Sequence, residues 1–237
     1  MDRGRSDFNR AQVLTTYSVW QVPVGKGRKW FSGAPRFADA IAGGWSLSGI
    51  VSWMTGQPFS ISSGILTANN LRSARAQLTG PIPSFGLTSG IPGNVGPGWI
   101  PNSALPELNP TTSPFGIPAA GTYGNQGRND FTGPRFFNTD ITMQKQFSIS
   151  ERWKVEMRAD AFNIFNHPNF RLANPITAFT GTTVTSAAGQ TPEVVVPSGS
   201  SSFGSLCCSQ AYLPSSASAT GVGEPSRVLQ VALRLRF

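Results

Sequence analysis

The chain has 237 residues, a formal net charge of +8, 26 glycines and 19 prolines, and this mix favours strands joined by long irregular loops over helices. Its 19 lysines and arginines are scattered along the chain instead of forming one basic helix or run, which argues against nucleic-acid binding. No apolar run approaches the roughly 20 residues of a transmembrane helix, so any membrane span must be made of strands.

The first half of the chain contains two predicted strands with a short predicted helix between them. Alternate positions of the weaker, first strand carry Val13, Thr15, Tyr17 and Val19. The second strand sets apolar residues against serines, and its apolar positions are Trp45, Leu47, Val51 and Trp53. The connection between them, residues 23–43, is predicted to contain a helix at residues 36–42.

The clearest alternation lies in residues 136–149 and 152–161, which only a short break separates. The first segment has a largely apolar face made of Phe137, Thr139, Ile141, Met143, Lys145, Phe147 and Ile149. The corresponding positions of the second segment are Trp153, Val155, Met157, Ala159 and Ala161. Because polar residues fill the positions between, the two segments are predicted to form an antiparallel hairpin with one polar face.

The last predicted strand covers residues 227–237 and ends on an aromatic residue. The five predicted strands are each about 11 to 14 residues long, which exceeds the usual soluble strand and suffices to cross a bilayer at a tilt. The sequence therefore predicts an all-β fold, an antiparallel transmembrane β-barrel segment with five spanning strands. Since about eight strands make the smallest usual barrel, the barrel is expected to be incomplete.

Strict alternation also predicts which side chains face lipid and which face a polar lumen. The predicted lipid-facing positions are Phe137, Ile141, Phe147, Trp153, Val155, Met157, Leu229, Val231, Leu233 and Leu235. The charged residues predicted to face the lumen are Asp140, Lys154, Glu156, Arg158, Asp160 and Arg234, with Gln144 and Gln230 beside them. The hairpin allows two registers, one pairing Phe147 with Trp153 and one, favoured by charge, pairing Asp140 with Arg158.

The connections between the strands alternate in length, as in outer-membrane barrels with short periplasmic turns and long extracellular loops. Residues 23–43 are accordingly predicted to form a periplasmic turn, and residues 57–135 and 167–226 two long extracellular loops. The long loops are rich in Gly, Pro, Ser, Thr and Asn, so they are predicted to be irregular or partly disordered. Short strands are predicted within them at residues 58–62 and 193–196.

Few residues suit catalysis, and no enzyme activity, cofactor or metal site is predicted. The single histidine, His167, lies at a predicted strand-to-loop corner without a nucleophile motif, which favours a role in the turn. Glu156 and Asp160 share a strand face, but Arg158 between them suggests a charge ladder instead of a glycosidase pair. Cys207 and Cys208 lie far from any His or acidic cluster, so they are predicted to be loop thiols or a local disulfide.

Several local motifs occur in order along nearly the whole chain. They are Asp2-Arg3-Gly4, Val22-Pro23-Val24-Gly25-Lys26-Gly27, residues 43–50 (GGWSLSGI), residues 55–59 (TGQPF), residues 127–134 (GRNDFTGP), residues 158–170 (RADAFNIFNHPNF) and residues 233–237 (LRLRF). Together they resemble the C-terminal barrel region of TonB-dependent outer-membrane transporters. The resemblance is to the Oar-like subgroup, which has a carboxypeptidase-regulatory-like N-terminal domain.

The resemblance implies a barrel of about 22 strands filled by a plug domain, with energy arriving from the inner membrane through TonB. Residues 1–237 would be the C-terminal part of that barrel, and upstream strands, a plug and a signal peptide are expected to precede them. The terminal Leu233, Leu235 and Phe237 resemble the signal that the barrel-assembly machinery recognises. The implied function is to form part of the barrel wall for energy-coupled uptake of a ligand that the sequence does not identify.

One alternative to the barrel is a secreted β-sandwich that acts as an adhesin or a carbohydrate-binding module. Its Ser/Thr/Gly-rich loops would then be the binding surface. Solubility separates the two interpretations, because a sandwich dissolves in buffer whereas lipid-facing strands require detergent.

Overall fold

The computed structural model describes residues 3–33, 35–64, 74–89, 97–119, 122–148, 152–172, 178–180, 198–199, 206–209 and 227–237. The chain divides into two compact units. The first, here called the loop unit, draws on residues 1–11, 55–135 and 169–221. The second, here called the sheet unit, draws on residues 12–54, 136–168 and 222–237.

The described part of the chain is rich in strands and has little helix. The strands are β1 (Val13–Gln21), β2 (Trp45–Met54), β3 (Pro58–Phe59), β4 (Gln77–Leu78), β5 (Phe115–Gly116), β6 (Phe131–Thr132), β7 (Phe136–Ser148), β8 (Lys154–Phe162), β9 (Phe170–Leu172), β10 (Phe179–Thr180), β11 (Ser198–Gly199), β12 (Leu206–Ser209) and β13 (Val228–Arg236). Helix α1 spans Arg36–Ala42, as predicted, and a short 3-10 helix spans Asn102–Ala104. Within the described residues, no helix has the length and hydropathy to cross a membrane.

The sheet unit is built on one antiparallel sheet of five strands in the order β1-β2-β7-β8-β13. These are the five strands that alternation predicted, and they are 9 to 13 residues long. Among the described residues, β1 and β13 lie at the two edges and do not pair with each other. The sheet is therefore an open segment, as the prediction of an incomplete barrel requires.

Both predicted registers of the β7–β8 hairpin are wrong. Phe147 lies opposite Val155, and Arg158 lies opposite Gln144. The strand pairing begins with Ser148 opposite Lys154, so five residues separate the paired positions and Trp153 lies outside β8. The expected parity is correct, because odd residues of β7 face odd residues of β8. The register that paired Asp140 with Arg158 was favoured by their opposite charges. Arg158 instead forms its ion pair within β8, where its Nε lies 2.9 Å from Asp160 Oδ1.

The sequence does not assign the two faces of β1, and the structure does. The alternating set that begins with Val13 lies opposite the serines of β2, for example Thr15 opposite Ser52. The apolar face of β2 instead continues through Leu14, which lies opposite Trp53, and through Trp20. Alternation could not decide this strand, because both of its faces carry apolar residues and every residue is exposed at the sheet edge.

The connection between β1 and β2 is folded around one carboxylate. Asp39 Oδ1 in α1 accepts a hydrogen bond from the backbone N–H of Lys26 at 2.5 Å. Gly25 has a φ of +119°, and a Cβ there would lie 2.6 Å from the same carboxylate oxygen. Glycine is therefore required at this position both for its backbone conformation and for the close approach of Asp39.

The long connections are less irregular than predicted, because they contribute a hydrophobic core to the loop unit. Its buried members are Phe59, Ile61, Ala76, Ile100, Ala104, Leu105, Phe115 and Ala178. The Phe85 and Phe131 rings also pack here, with their centroids 5.1 Å apart. These apolar residues come one or two at a time from widely separated segments, so no sustained periodicity reveals them. Of the predicted short strands, the first is confirmed at Pro58–Phe59, and residues 193–196 lie outside the described residues.

Asn129 holds distant parts of the loop unit together. It is buried, and its φ of 56° is in the left-handed region. Its Nδ2 donates hydrogen bonds to the carbonyl of Arg5 at 2.6 Å and to Asp7 Oδ1 at 2.7 Å. Its backbone N–H donates to Ser60 Oγ at 2.8 Å, and Arg5 Nε donates to its carbonyl at 2.8 Å. The Asn129 clamp, as we call these four residues, therefore joins the start of the chain to two segments of the first long connection.

The clamp also sets the ionisation of Asp7. The hydrogen bond from Asn129 holds the pKa of Asp7 below its usual range, and the guanidinium of Arg128, 3.2 Å away, acts in the same direction. Because the folded-state pKa is lowered, the stabilisation is complete above the ordinary carboxyl pKa of about 3.9 and is lost as the pH falls through the folded value.

The Asn129 clamp can be tested by substitution. We expect Asn129→Ala to destabilise the loop unit by about 2 to 4 kcal/mol, because it removes buried hydrogen bonds and places a Cβ-bearing residue at positive φ. Asn129→Gly removes the same side chain but tolerates the backbone conformation, so we expect a smaller loss. Rates of limited proteolysis of the purified protein in detergent measure both variants. Cleavage of Asn129→Ala at the wild-type rate would contradict the clamp.

Candidate lumenal surface of the sheet

The six charged residues predicted to face the lumen all lie on one face of the five-stranded sheet. Directly opposed residues of neighbouring strands share a face, and the registers of β7, β8 and β13 pair even positions with even positions. The members of this set are Asp140, Lys154, Glu156, Arg158, Asp160 and Arg234. Gln144 and Gln230 lie on the same face, opposite Arg158 and Asp160 respectively. We call this face the candidate lumenal surface.

The acidic end of the candidate lumenal surface is tied by hydrogen bonds to neighbouring polar groups. Asp160 Oδ1 accepts from Thr142 Oγ1 at 2.6 Å and from Arg158 Nε at 2.9 Å. Asp140 Oδ1 accepts from Asn138 Nδ2 at 3.0 Å and from the backbone N–H of Asn163 at 2.9 Å. Both carboxylates are therefore held in place by donors from the sheet and from the corner that follows β8.

The opposite end of this surface is basic. Arg236 Nη2 forms an ion pair with Glu156 Oε2 at 2.8 Å. Arg234 lies directly opposite Glu156, and Lys154 directly opposite Arg236. Asp140 and Asp160 lie towards the end of the sheet from which the two long connections leave, and Lys154, Arg234 and Arg236 lie towards the other end. The surface therefore changes from acidic to basic along the strands. A surface of this kind can orient a charged or dipolar solute along the strand direction.

The motif at residues 158–170 forms the corner where β8 ends. Asn163 and Asn166 both have φ near +50°, a conformation that asparagine tolerates better than most residues. Asn163 Oδ1 accepts from the backbone N–H of His167 at 2.9 Å, and Asn166 Oδ1 accepts from the backbone N–H of Arg227 at 3.0 Å. The imidazole of His167 packs edge-on against Phe137, with ring centroids 5.6 Å apart. His167 thus lies in the corner that the sequence predicted, and Asn166 joins that corner to the start of β13.

The other face of the sheet is apolar and has aromatic residues near both ends. One end of the sheet is the end where residues 22–44 connect β1 to β2 and where β7 is followed by β8. The aromatic residues near this end are Trp20, Trp45, Phe147, Trp153 and Phe237, and the ring centroids of the last two are 5.7 Å apart. Near the other ends, Trp53 lies opposite Phe137, whose ring stacks on Phe165 at 6.2 Å. The eight residue-to-residue steps from Trp45 to Trp53 correspond to roughly 26 Å along a strand, or about 20 Å along the membrane normal at a tilt of about 40°. This spacing suits the apolar band of an outer-membrane barrel, which is about 25 Å tall.

The apolar face includes every strand position predicted to contact lipid. Odd positions of β7, β8 and β13 share this face. In β13 the side chains of Leu229, Val231 and Leu233 are each more than 70% exposed. A continuous apolar surface of this kind is unfavourable in water and favourable against hydrocarbon.

Lys145 is a charged residue on the apolar face, and its role was missed by the sequence analysis. It lies opposite Met157, and only 2% of its surface is exposed. Its Nζ donates hydrogen bonds to the carbonyls of Ile41 at 2.7 Å and Gly43 at 2.5 Å. The ammonium also lies 5.0 Å from the centroid of the Trp45 ring. The one signal in the sequence was a lysine at an otherwise apolar position.

The described residues contain no group of three metal-ligand side chains. Cys207 and Cys208 lie in β12, which pairs with β9. Their side chains are outside the described part of the structure, so the prediction of loop thiols or a local disulfide stays a prediction.

Comparison with known proteins gives one match. No curated protein and no solved structure matches the chain. The profile of the family described as "Outer membrane beta barrel domain" matches residues 1–206, which is most of the chain. The protein therefore belongs to the outer-membrane β-barrel domain family, and its location is the bacterial outer membrane.

Proposed function

We propose that the chain forms part of the barrel wall of a TonB-dependent transporter that takes up a ligand of unknown identity. The observation that carries the proposal is the sheet with two chemically distinct faces, apolar on one side and charged on the other, in a member of an outer-membrane barrel family. The motifs that resemble Oar-like transporters make the proposal more specific than a barrel. A wall of this kind separates hydrocarbon from a polar lumen.

The proposed arrangement places the candidate lumenal surface towards a plug domain inside the barrel. The basic end of this surface would then lie near the periplasm, where residues 23–43 form the turn between β1 and β2. Residues 57–135 and 167–226 would face the cell exterior. The hydrophobic core of the loop unit supports a specific role for these long connections, because loops that fold around a core can present a fixed surface to a ligand.

The open edges of the sheet support the need for further strands. In a bilayer each unsatisfied backbone group costs several kcal/mol, so β1 and β13 both require a neighbour. Upstream strands of the same protein would supply both. Expressed without such strands, the segment should aggregate or be degraded.

A soluble β-sandwich was the alternative to the barrel. Its two sheets would pack face to face, whereas the five long strands of the described chain form a single sheet. Because the chain belongs to the outer-membrane β-barrel domain family, the barrel is preferred to the sandwich.

The C-terminal residue offers a test of assembly. Phe237 is 93% exposed and its ring contacts Trp153, so its removal should cost the folded sheet little. We expect deletion of Phe237 from the protein in its cell of origin to reduce folded, heat-modifiable protein in the outer membrane severalfold, because the terminus resembles the assembly signal. Leu229→Ala, on the same face of β13, is the control and should have little effect. Equal amounts of folded protein with and without Phe237 would refute the role in assembly.

Energy coupling can be tested without knowing the ligand. Spent growth medium is compared by mass spectrometry between cells with and without the gene, in backgrounds with and without functional TonB. We expect at least one compound to be depleted only when both are present, because transport through a plugged barrel requires energy from the inner membrane. Depletion that requires the gene but proceeds equally without TonB would contradict TonB-dependent transport and leave a passive channel as the function.

A further inference from the structure

The turn between β1 and β2 exposes large apolar side chains. The exposed fractions are 71% for Phe31, 77% for Phe37 and 58% for Ile41. Phe37 and Ile41 are four residues apart in α1, so they lie on the same side of the helix. With Trp30, which is 50% exposed, four large apolar side chains are exposed in this connection. Such a surface is unfavourable in water, which indicates that it is covered in the working protein.

The end of α1 is fixed to the lipid-facing side of the sheet. Lys145 lies on the apolar face, and its Nζ donates to the carbonyls of Ile41 and Gly43 at the C-terminal end of the helix. The indole N–H of Trp45, which lies opposite Lys145, donates to the same Ile41 carbonyl at 3.0 Å. The C-terminal end of α1, which includes the exposed Ile41, therefore lies beside the apolar face of the sheet, next to Trp45 near the edge of that face.

The charge of the turn indicates what kind of surface it meets. Residues 22–44 contain four basic residues, Lys26, Arg28, Lys29 and Arg36, and one acidic residue, Asp39. The Asp39 carboxylate already accepts a hydrogen bond from the Lys26 N–H within the turn. A short amphipathic segment that combines aromatic and aliphatic side chains with basic residues is typical of a helix lying in the membrane interface. Each basic residue near an anionic lipid surface contributes about 1 kcal/mol of attraction.

We propose that residues 22–44 form an interfacial anchor that lies in the headgroup region of the periplasmic leaflet and binds anionic glycerophospholipids. Phe31, Phe37 and Ile41 insert at the boundary between headgroups and acyl chains, while Lys26, Arg28 and Lys29 contact lipid phosphates. This inference rests on the proposed function, because the proposed orientation places the turn on the periplasmic side. The anchor fixes how deeply the barrel wall lies in the bilayer next to β1, β2 and β7.

Photocrosslinking in intact cells tests the anchor directly. A benzophenone amino acid replaces Phe37 in the protein made in its cell of origin, and the same amino acid at Phe8 provides a control with an equal exposed fraction of 77%. After irradiation, adducts on the purified protein are identified by mass spectrometry. We expect glycerophospholipid adducts at position 37, enriched in phosphatidylglycerol relative to its share of the membrane, and no such enrichment at position 8.

A charge variant tests the headgroup preference. The triple variant Lys26→Gln, Arg28→Gln and Lys29→Gln should lower the ratio of phosphatidylglycerol to phosphatidylethanolamine adducts, by up to about fivefold for each charge removed. The matched control is Lys154→Gln, Arg234→Gln and Arg236→Gln, which removes three charges from the candidate lumenal surface and should leave the ratio unchanged.

The remaining outcomes separate failure of the anchor from failure of the proposed function. Adducts with another protein or with a second copy of this chain at position 37 would overturn the anchor but leave the proposed orientation intact. Lipopolysaccharide adducts at position 37 would place the turn at the outer leaflet and overturn both. A phosphatidylglycerol ratio that does not change in the charge variant would overturn the role of the basic residues.

Discussion

A backbone N–H or C=O group without a hydrogen-bond partner costs several kcal/mol in hydrocarbon, and this constraint governs the sheet unit. The interior strands β2 and β8 satisfy it by pairing on both sides along nearly their whole length, and β7 pairs with β2 over residues 136–145 and with β8 over residues 141–148. The edge strands β1 and β13 satisfy it on one side only, so the sheet requires neighbours that the described chain does not provide. The same pairing fixes the side-chain faces, because strands in register keep the apolar positions together and the charged positions together.

The one charged residue that breaks this separation shows how a buried charge is accommodated in such a wall. Lys145 meets two carbonyls at the end of α1, where the partial negative charge of a helix favours a cation. The rings of Trp45 and Phe147 lie about 5 Å from the ammonium and add a cation–π contribution. The end of α1 thereby supplies the acceptors that the buried Lys145 ammonium needs.

The strands with a regular alternation of side chains can be predicted from the sequence, whereas features that depend on a single contact between distant residues cannot. Period-2 alternation is strong in β2, β7, β8 and β13, so these strands and the charged face of the last three follow from it. The predicted β7–β8 register was wrong because the number of residues between the strands decides it, and the faces of β1 could not be predicted because both are partly apolar. The partners of Lys145 lie more than 100 residues away along the chain. Those of Asn129 are at comparable separations, and no local pattern indicates such contacts.

The central claim is that the sheet is a membrane wall with lipid on its apolar face and water on its charged face. Single cysteines placed along β8 from Val155 to Asp160, with Cys207 and Cys208 replaced by serine, test it in native outer membranes. Labelling by a water-soluble maleimide, compared with protection by surrounding lipid, is measured at each position. The account predicts labelling that alternates with period 2, strong at positions 156, 158 and 160 and weak at 155, 157 and 159. Equal labelling of both sets, or the reverse pattern, would contradict it.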